Sequence, residues 1–586
     1  MKRILFLTVC LFIGSGVYLF SQTSQTLQNY CKLPEQYFNL LNAGVPGIEA
    51  RLSAEPEGRL SVLESEEGWS HFASAILIPA VLYSKSHPAN KQYANPEMLK
   101  LAERIGDMLA AENKKGHYTP RGDSDWDTYM WLEAYRLLES SLGEERRTTW
   151  RQAILENLAM VEPKLLKYRD YPRYNAPFII TSPNHYAIYA STLLVAGHVF
   201  SKPEWIQTAN SVLHRYVREE QTSDGYWGEH SQTGPTTGYD YLTETQVALY
   251  WEYTKDPEAL NALRRSNDFH MNFTWPDGTP VETINDRNRY WDVSMWGHFG
   301  FSNFPDGRRY SEFLTSFFPE VGDIQSLSRI AQNVIYFHEG NTEPIPQDQL
   351  SYEHSMSIPA GIRKTGAWVV CLSGLIEPED ILNNFFLDRQ GNLSIFNTNT
   401  GLIITGANSK RQPDLATFTE KLNNQIVHMP LTSRLMMDDK ADRLALSYNT
   451  FFSVLEVNPP LENNIEFRFI NTYKWGDAVS QLNLQLVLKE GVVLKTASGL
   501  EFVLGNERID LGYDKLGGAI IHNGWVMHLP EGARLIWPVF PFNPYKDGPE
   551  TTLDHAVGVL SVPLKAEDQE LRFSIEVYSV LRTFNK

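Results

Sequence analysis

Apolar residues in the first half of the chain fall into blocks of helical length, each rich in aromatics and each followed by a more polar block. The apolar blocks begin near His71 (WSHFASAILIPAVLYS), Asp127 (WDTYMWLEAYRLLES), Asn184 (NHYAIYASTLLVAGHVF) and Tyr239 (YDYLTETQVALYWEY), in steps of 56, 57 and 55 residues. A fifth, weaker copy is expected near Tyr290 (RYWDVSMWGHFGF). Glycine-containing turns near Gly58, Gly116, Gly225 and Gly278 precede most of these blocks, and a Tyr/Pro/Arg loop near Tyr171 stands where one turn is missing. The intervening blocks, such as PEMLKLAERIGDMLAAEN and WIQTANSVLHRYVREE, read as amphipathic helices. A repeat of about 55 residues fits two helices and their loops. Such hairpins close into an α/α toroid or run on as an open solenoid. A toroid over residues 22–335 is the expected architecture, with the start of every inner helix, and so the cleft, on one face.

The pattern changes between about Gly322 and Ser351. Short alternating or apolar runs follow, among them AWVVCLSGLI, FFSVLEV, IEFRFINTY, VGVLSVPL and LRFSIEVYSVL, separated by turns such as EGAR and NPYKDG. They predict an antiparallel β-sandwich over residues 336–586.

A length of 586 residues suits two large domains. The start, MKRILFLTVCLFIGSGVYLFSQ, has a basic tip, an apolar run and a small residue at Ser21. It predicts a signal peptide, residues 1–21, and an exported (periplasmic or secreted) protein; an uncleaved N-terminal anchor is the alternative. Cys10 lies too early in the run for a lipoprotein site. No later stretch is long and apolar enough to span a bilayer. Cleavage removes Lys2 and Arg3, which takes the formal charge from −18 to −20, 50 basic against 70 acidic residues. That balance argues against nucleic acid as a partner. It leaves room for an acidic glycan held by a local Arg cluster. Cys31 and Cys371 remain; they are too few for a disulfide framework or a zinc site, and their pairing is open. The 12% aromatic content suits sugar platforms as well as a large core. Trp126 is a candidate platform. The oligomeric state is not legible.

Candidate chemistry gathers at the starts of the aromatic helices. Asn184-His185 opens one, and Tyr239 opens the next, fifteen residues after Asp224-Gly225. β-Elimination on a uronate needs the carboxylate neutralised, the C5 proton removed and the departing O4 protonated. Asn184 and His185 supply hydrogen bonds to the carboxylate and its developing enediolate. Tyr239 suits proton transfer, but an ordinary pKa of about 10 makes it a poor base without a cation nearby. His230, Arg173 and Arg215 are candidates for that cation. Tyr241, two residues on, is the alternative register and a candidate for substrate contact. Arg287 and Arg289, in ETINDRNRYWD, suit a carboxylate or sulfate. Tyr352 and His354, in SYEHSMSIPAG, are candidates from the β half. No cofactor is needed for this chemistry, and a structural divalent cation is left unassigned.

The Asn-His opening an inner helix, with a Tyr one hairpin later, resembles the heparinase II/III-like and oligoalginate lyases. Asp224, Gly225, His230 and Tyr239, in the pattern DG-x(4)-H-x(8)-Y, resemble the chondroitin AC and hyaluronate lyases. Both groups pair an α/α toroid with β-sheet domains. The resemblance implies Tyr239 as the catalytic tyrosine, Asn184 as the carboxylate binder, and His185 or His230 as the partner histidine. It also implies that a further His or Tyr comes from the β domain. The Asn-Asn-His-Gly run of the first group and the Asn-Trp-Trp run of the second are missing, which leaves the substrate open. Two other readings compete. Asp123, Asp125 and Asp127, in GDSDWDTYMW, suit the acid of a toroidal glycoside hydrolase, or capping of their own helix. The toroid would also serve as a non-catalytic glycan receptor.

Overall fold

The apolar blocks are helices buried on every side. In Leu77–Ser84 (α2), for example, each residue from Leu77 to Leu82 is buried. The structure is a computed structural model that describes residues 30–54, 72–114, 125–170, 183–229, 234–286, 292–319, 322–376, 385, 387–388, 391–422, 425–474, 479–543, 552–565 and 569–578. The expected signal peptide lies outside the described residues. Before α2 come Leu33–Ala54 (α1) and a 3₁₀ turn, Phe72–Ile76. Helices then alternate as the sequence predicts. Pro96–Lys114 (α3), Glu144–Tyr168 (α5), Pro203–Arg215 (α7) and Pro257–Asn272 (α9) are the more polar members. Asp125–Leu138 (α4), Pro183–Val199 (α6) and Thr237–Thr254 (α8) are the aromatic ones.

The polar helices bury one stripe each. On α3 this is Met98, Leu101, Ala102, Ile105 and Leu109, the 3–4 spacing of an amphipathic helix. Gly106 lies on the same stripe because a Cβ there would stand 2.0 Å from the Trp150 ring of α5. Pro begins α3, α6, α7 and α9, where its missing N–H costs nothing.

The fifth copy departs from expectation. After residues outside the described set, the next helix, His298–Phe301 (α10), has only four residues. Gly297 turns the chain with φ of +73° in front of it, and a Cβ on Gly297 would overlap the buried Glu244 carboxylate of α8. Pro305–Thr315 (α11) follows. The last inner helix is Ile324–Tyr336 (α12), in the stretch where the sequence shows only a change of character.

This helix closes the ring. Leu327 packs where a Cβ on Gly44 of α1 would stand, Ser328 Oγ donates to Ser74 Oγ at 3.0 Å, and Lys85 Nζ donates to the Ile335 carbonyl at 3.0 Å. Contacts between the first helices and the last make a toroid, not an open solenoid.

The inner helices run in one direction. Tyr129 of α4 meets Gln332 of α12 at 3.0 Å, and Glu133, one turn on, meets Tyr336 at 2.5 Å. Ser191 of α6 meets Gln246 of α8 at 2.5 Å, and the His198 and Tyr253 rings lie 4.9 Å apart. Both pairs across α6 and α8 are 55 residues apart, so the repeat read from the sequence is the physical register of these helices.

Buried His298 gives the ring a pH response. Its Nε2 donates to the Ser294 carbonyl at 2.9 Å, so its Nδ1 accepts from the Tyr37 hydroxyl at 2.5 Å. Burial pushes its pKa from 6.5 down to about 4. Between those values the unfolded chain binds the extra proton. Stability present above pH 6.5 is therefore lost as pH falls towards 4, by up to roughly 3 kcal/mol. Melting His298→Gln beside wild type from pH 4 to 7 should show a flatter profile in the variant. Identical slopes would mean that His298 is not the group responsible.

The chain divides into two compact units that interleave in sequence. One is Met1–Gln221, Tyr241–Asn267 and Val293–Ile345; the other is Thr222–Asp240, Asp268–Asp292 and Pro346–Lys586. Two stretches from the helical half thus belong with the strands. The reason lies in their side chains. Trp275 stacks on Phe396 with centroids 5.5 Å apart, and its Nε1 donates to the Glu282 carboxylate at 2.7 Å. Glu282 also accepts from Ser394 Oγ at 2.6 Å and Thr405 Oγ1 at 3.0 Å.

The strands form two antiparallel sheets, of eleven and nine strands among the described residues. Trp368, Ile395, Leu484 and Leu560 of one sheet and Leu444, Phe467, Phe573 and Ile575 of the other share a single apolar core, which makes a β-sandwich. Every apolar run singled out in the sequence contains a strand. Ala360–Thr365 and Asp442–Ser447 are among the strands that carry no such run. Arg363 of Ala360–Thr365 bonds Asp442 of Asp442–Ser447 at 2.8 Å, so charge takes the place of the alternation that marks a strand.

Candidate active site

Asn184 and His185 occupy the first turn of α6, one residue inside its start at Pro183. Asn184 is fully buried and His185 half-buried. The roll of α6 is fixed by Tyr186, whose hydroxyl donates to the Leu165 carbonyl at 2.6 Å, and by the Ser191–Gln246 bond. Asn184 precedes Ser191 by seven residues, two turns, and so shares its face.

Burial sets the two tyrosines apart. Tyr241 is 1% exposed, its hydroxyl is bonded to that of Tyr310 at 2.6 Å, and its ring meets Phe301 edge-on. It is a core residue, which corrects its assignment to substrate contact. Tyr239 is half-buried, in the first turn of the same helix.

Beneath the mouth of the ring lies a buried polar network that the sequence did not reveal. The Glu133 carboxylate accepts from Tyr129 (3.0 Å), Tyr336 (2.5 Å) and Arg136 Nε (2.7 Å). Burial first, and then the Glu133 charge, push the Tyr129 and Tyr336 hydroxyls well above the usual tyrosine range. Tyrosines held in this way donate hydrogen bonds and do not ionise. Arg215, considered as the cation beside the catalytic tyrosine, is instead paired with Glu219 and Glu220 at 3.5 and 3.0 Å.

In the second unit, the Asp224-Gly225 turn has a structural role. Gly225 has φ of 99°, a conformation that favours glycine. The Asp224 carboxylate accepts from Ser357 N and Oγ at 2.8 and 2.5 Å, which fixes the turn after the strand Ser351–Ser355. His354 of that strand is half-buried with its ring edge-on to Phe273, and burial lowers its pKa. Asp240, beside Tyr239, accepts from Trp227 N at 2.7 Å and pairs with His270 at 3.0 Å, both side chains being buried. Asp240 thus ties the glycine turn to the first turn of α8. Burial, the largest effect, raises its pKa, and the His270 hydrogen bond opposes this. An acidic residue in a helix's first turn reads as dipole complement, and nothing in the sequence connects Asp240 to His270, thirty positions on.

Arg173, His230, Arg287 and Arg289 lie outside the described residues, as do Asp123 and the side chains of Trp126, Asp125 and Asp127. Cys31 and Cys371 are buried thiols. Among the described residues, no group of three or more His, Cys, Asp or Glu is placed to hold a metal ion, and no helix is long and apolar enough to cross a membrane.

No protein-family model and no curated protein sequence matches the chain. Solved structures do. One is heparinase III, 12% identical, with a TM-score of 0.51 over 89% of this chain and 80% of that one. Another is the chondroitin AC lyase of Streptomyces coelicolor A3 in complex with chondroitin sulphate, 11% identical, with a TM-score of 0.50 over 92% of this chain and 79% of that one. A closed helical ring followed by stacked antiparallel sheets is therefore the fold that this chain shares with heparinase and chondroitin lyase structures.

Proposed function

We propose that the protein is an exported polysaccharide lyase that cleaves an acidic, uronate-containing glycan by β-elimination. The observation that carries the reading is the register of the ring. Neighbouring pairs across α6 and α8 are 55 residues apart, and Asn184 and Tyr239, each in the first turn of its helix and two turns before Ser191 and Gln246, are also 55 apart. In this reading Asn184, with His185 or His230, neutralises the uronate carboxylate. Tyr239 accepts the C5 proton, the C5–H electron pair becomes the C4–C5 double bond, and the C4–O4 bond breaks. O4 then takes a proton from the hydroxyl of Tyr239 or from the partner histidine. With Arg215 paired elsewhere, His230 and Arg173 remain candidates to lower the tyrosine pKa, and Arg287 and Arg289 to bind acidic groups. The chemistry needs no cofactor.

Two structures of the same fold, a heparinase and a chondroitin lyase, support a glycosaminoglycan-like substrate. Purified protein should be offered a panel of uronate polysaccharides while ultraviolet absorbance is followed. A conjugated 4,5-unsaturated uronate is the expected product. New reducing ends without that absorbance would move the assignment to the Asp125/Asp127 hydrolase reading. Binding without either product would leave a receptor.

A further inference from the structure

We infer that Arg329 is an anion-binding residue of the cleft and recognises the carboxylate or sulfate of an acidic glycan; this rests on the proposed function for the identity of the ligand. Arg329 belongs to α12, the helix that closes the ring. Its depth follows from contacts within that unit. Gln332 and Tyr336 lie level with Tyr129 and Glu133 of α4, so position 329, seven residues before Tyr336, is level with the first turn of α4. On its other side Ser328 bonds Ser74, in the turn that opens the first inner helix. Arg329 therefore stands where two inner helices begin, on the face of α12 that carries Tyr336 towards the ring interior.

Among the described residues the guanidinium has a platform but no ion-pair partner. Its Cζ lies 3.8 Å from the centroid of the Trp296 ring, and Trp296 is itself buried. Among the described residues, Asp323 is the one charge that acts on it. Asp323 caps the same helix, and its carboxylate oxygens already accept from Ser326 N and Oγ at 2.9 and 2.7 Å. Three other half-buried arginines meet a carboxylate: Arg136 with Glu133, Arg264 with Asp306 and Arg363 with Asp442. A half-buried cation costs free energy unless an anion meets it. Burial has lowered the guanidinium pKa to about 9, so the group is still cationic at neutral pH. Stacking on Trp296 holds the guanidinium plane and leaves its N–H edge to grip a two-oxygen anion. A sugar acid entering the mouth supplies that anion.

The test separates this inference from the lyase reading. Binding is measured by calorimetry on the full chain in the Tyr239→Phe background, so that the glycan survives. The probes are an unsulfated uronate oligosaccharide and a heparan sulfate oligosaccharide of equal length. Arg329→Met should weaken binding by roughly 10- to 100-fold, the loss expected of a charge-assisted fork. It should also reduce the salt dependence of binding. Arg329→Lys, which keeps charge without the fork, should recover part of the affinity. Loss with both probes assigns the carboxylate, and loss with the sulfated probe alone assigns the sulfate. Equal affinity in Arg329→Met and its parent, with unchanged melting, overturns the inference, as does failure of the parent to bind either probe. Wild-type turnover is followed separately. Arg329-dependent binding without any unsaturated product would sink the lyase reading and keep this one.

Discussion

Tyr239→Phe should lower turnover by at least the roughly 10²–10⁴-fold expected of a general acid–base group, with folding and glycan affinity nearly intact. The substitution removes one hydroxyl from a half-buried ring and keeps the ring. Tyr241→Phe is the internal comparison. Its hydroxyl is bonded to Tyr310 in the core, so its loss should cost about 1 kcal/mol of stability and leave the reaction rate alone. Asn184→Ala should slow turnover through the loss of a donor aimed at the growing enediolate, by about 3 kcal/mol of barrier. Initial rates of double-bond formation and thermal melting, measured on the same preparations, decide the matter. A well-folded Tyr239→Phe protein with near-normal rates would remove Tyr239 from the mechanism.

The largest structural effect is expected at Glu133. Its carboxylate takes hydrogen bonds from Tyr129, Tyr336 and Arg136, and it is fully buried. Glu133→Ala strands two buried hydroxyls and leaves Arg136 without its partner. Breaking a buried charged pair from one side costs about 3–5 kcal/mol. The helical transition in a thermal melt should fall by several degrees. Glu133→Gln, which keeps an acceptor but not the charge, should lie between. Because the chain holds two compact units, the transition should be followed by helical circular dichroism and not read as one two-state event. A shift in Glu133→Ala no larger than that of an exposed-site control would show that the network contributes little.

Much of the ring was legible because its inner helices are buried all round. Burial on every side forces continuous apolar, aromatic blocks, and equal hairpins force equal spacing, so a step of about 55 residues shows in the sequence itself. The same spacing gave the helix starts, and with them Asn184 and Tyr239. The sandwich was legible where strands alternate or run apolar, as in Phe451–Val457 and Val557–Leu564. It was not legible at Ala360–Thr365 and Asp442–Ser447, where Arg363 and Asp442 satisfy each other across strands.

Contacts between distant residues were decided only by the tertiary structure. Tyr239 and Tyr241 are indistinguishable by type and nearly so by position; only Tyr310, 69 residues on, shows which hydroxyl is spent in the core. Arg215 is the local exception: Glu219 and Glu220, four and five residues on along the same helical run, pair with it, a spacing that the sequence itself shows. α12 was hidden in a stretch of mixed composition because one apolar stripe suffices to close a ring against α1 and α2. Asp240 with His270, Glu133 with Tyr336, and Arg329 over Trp296 are pairings across separate helices and loops. Sequence periodicity reports which side of an element is buried, and so it determined the helices and most strands. It carries no record of which buried groups meet, because that depends on how the elements close on one another.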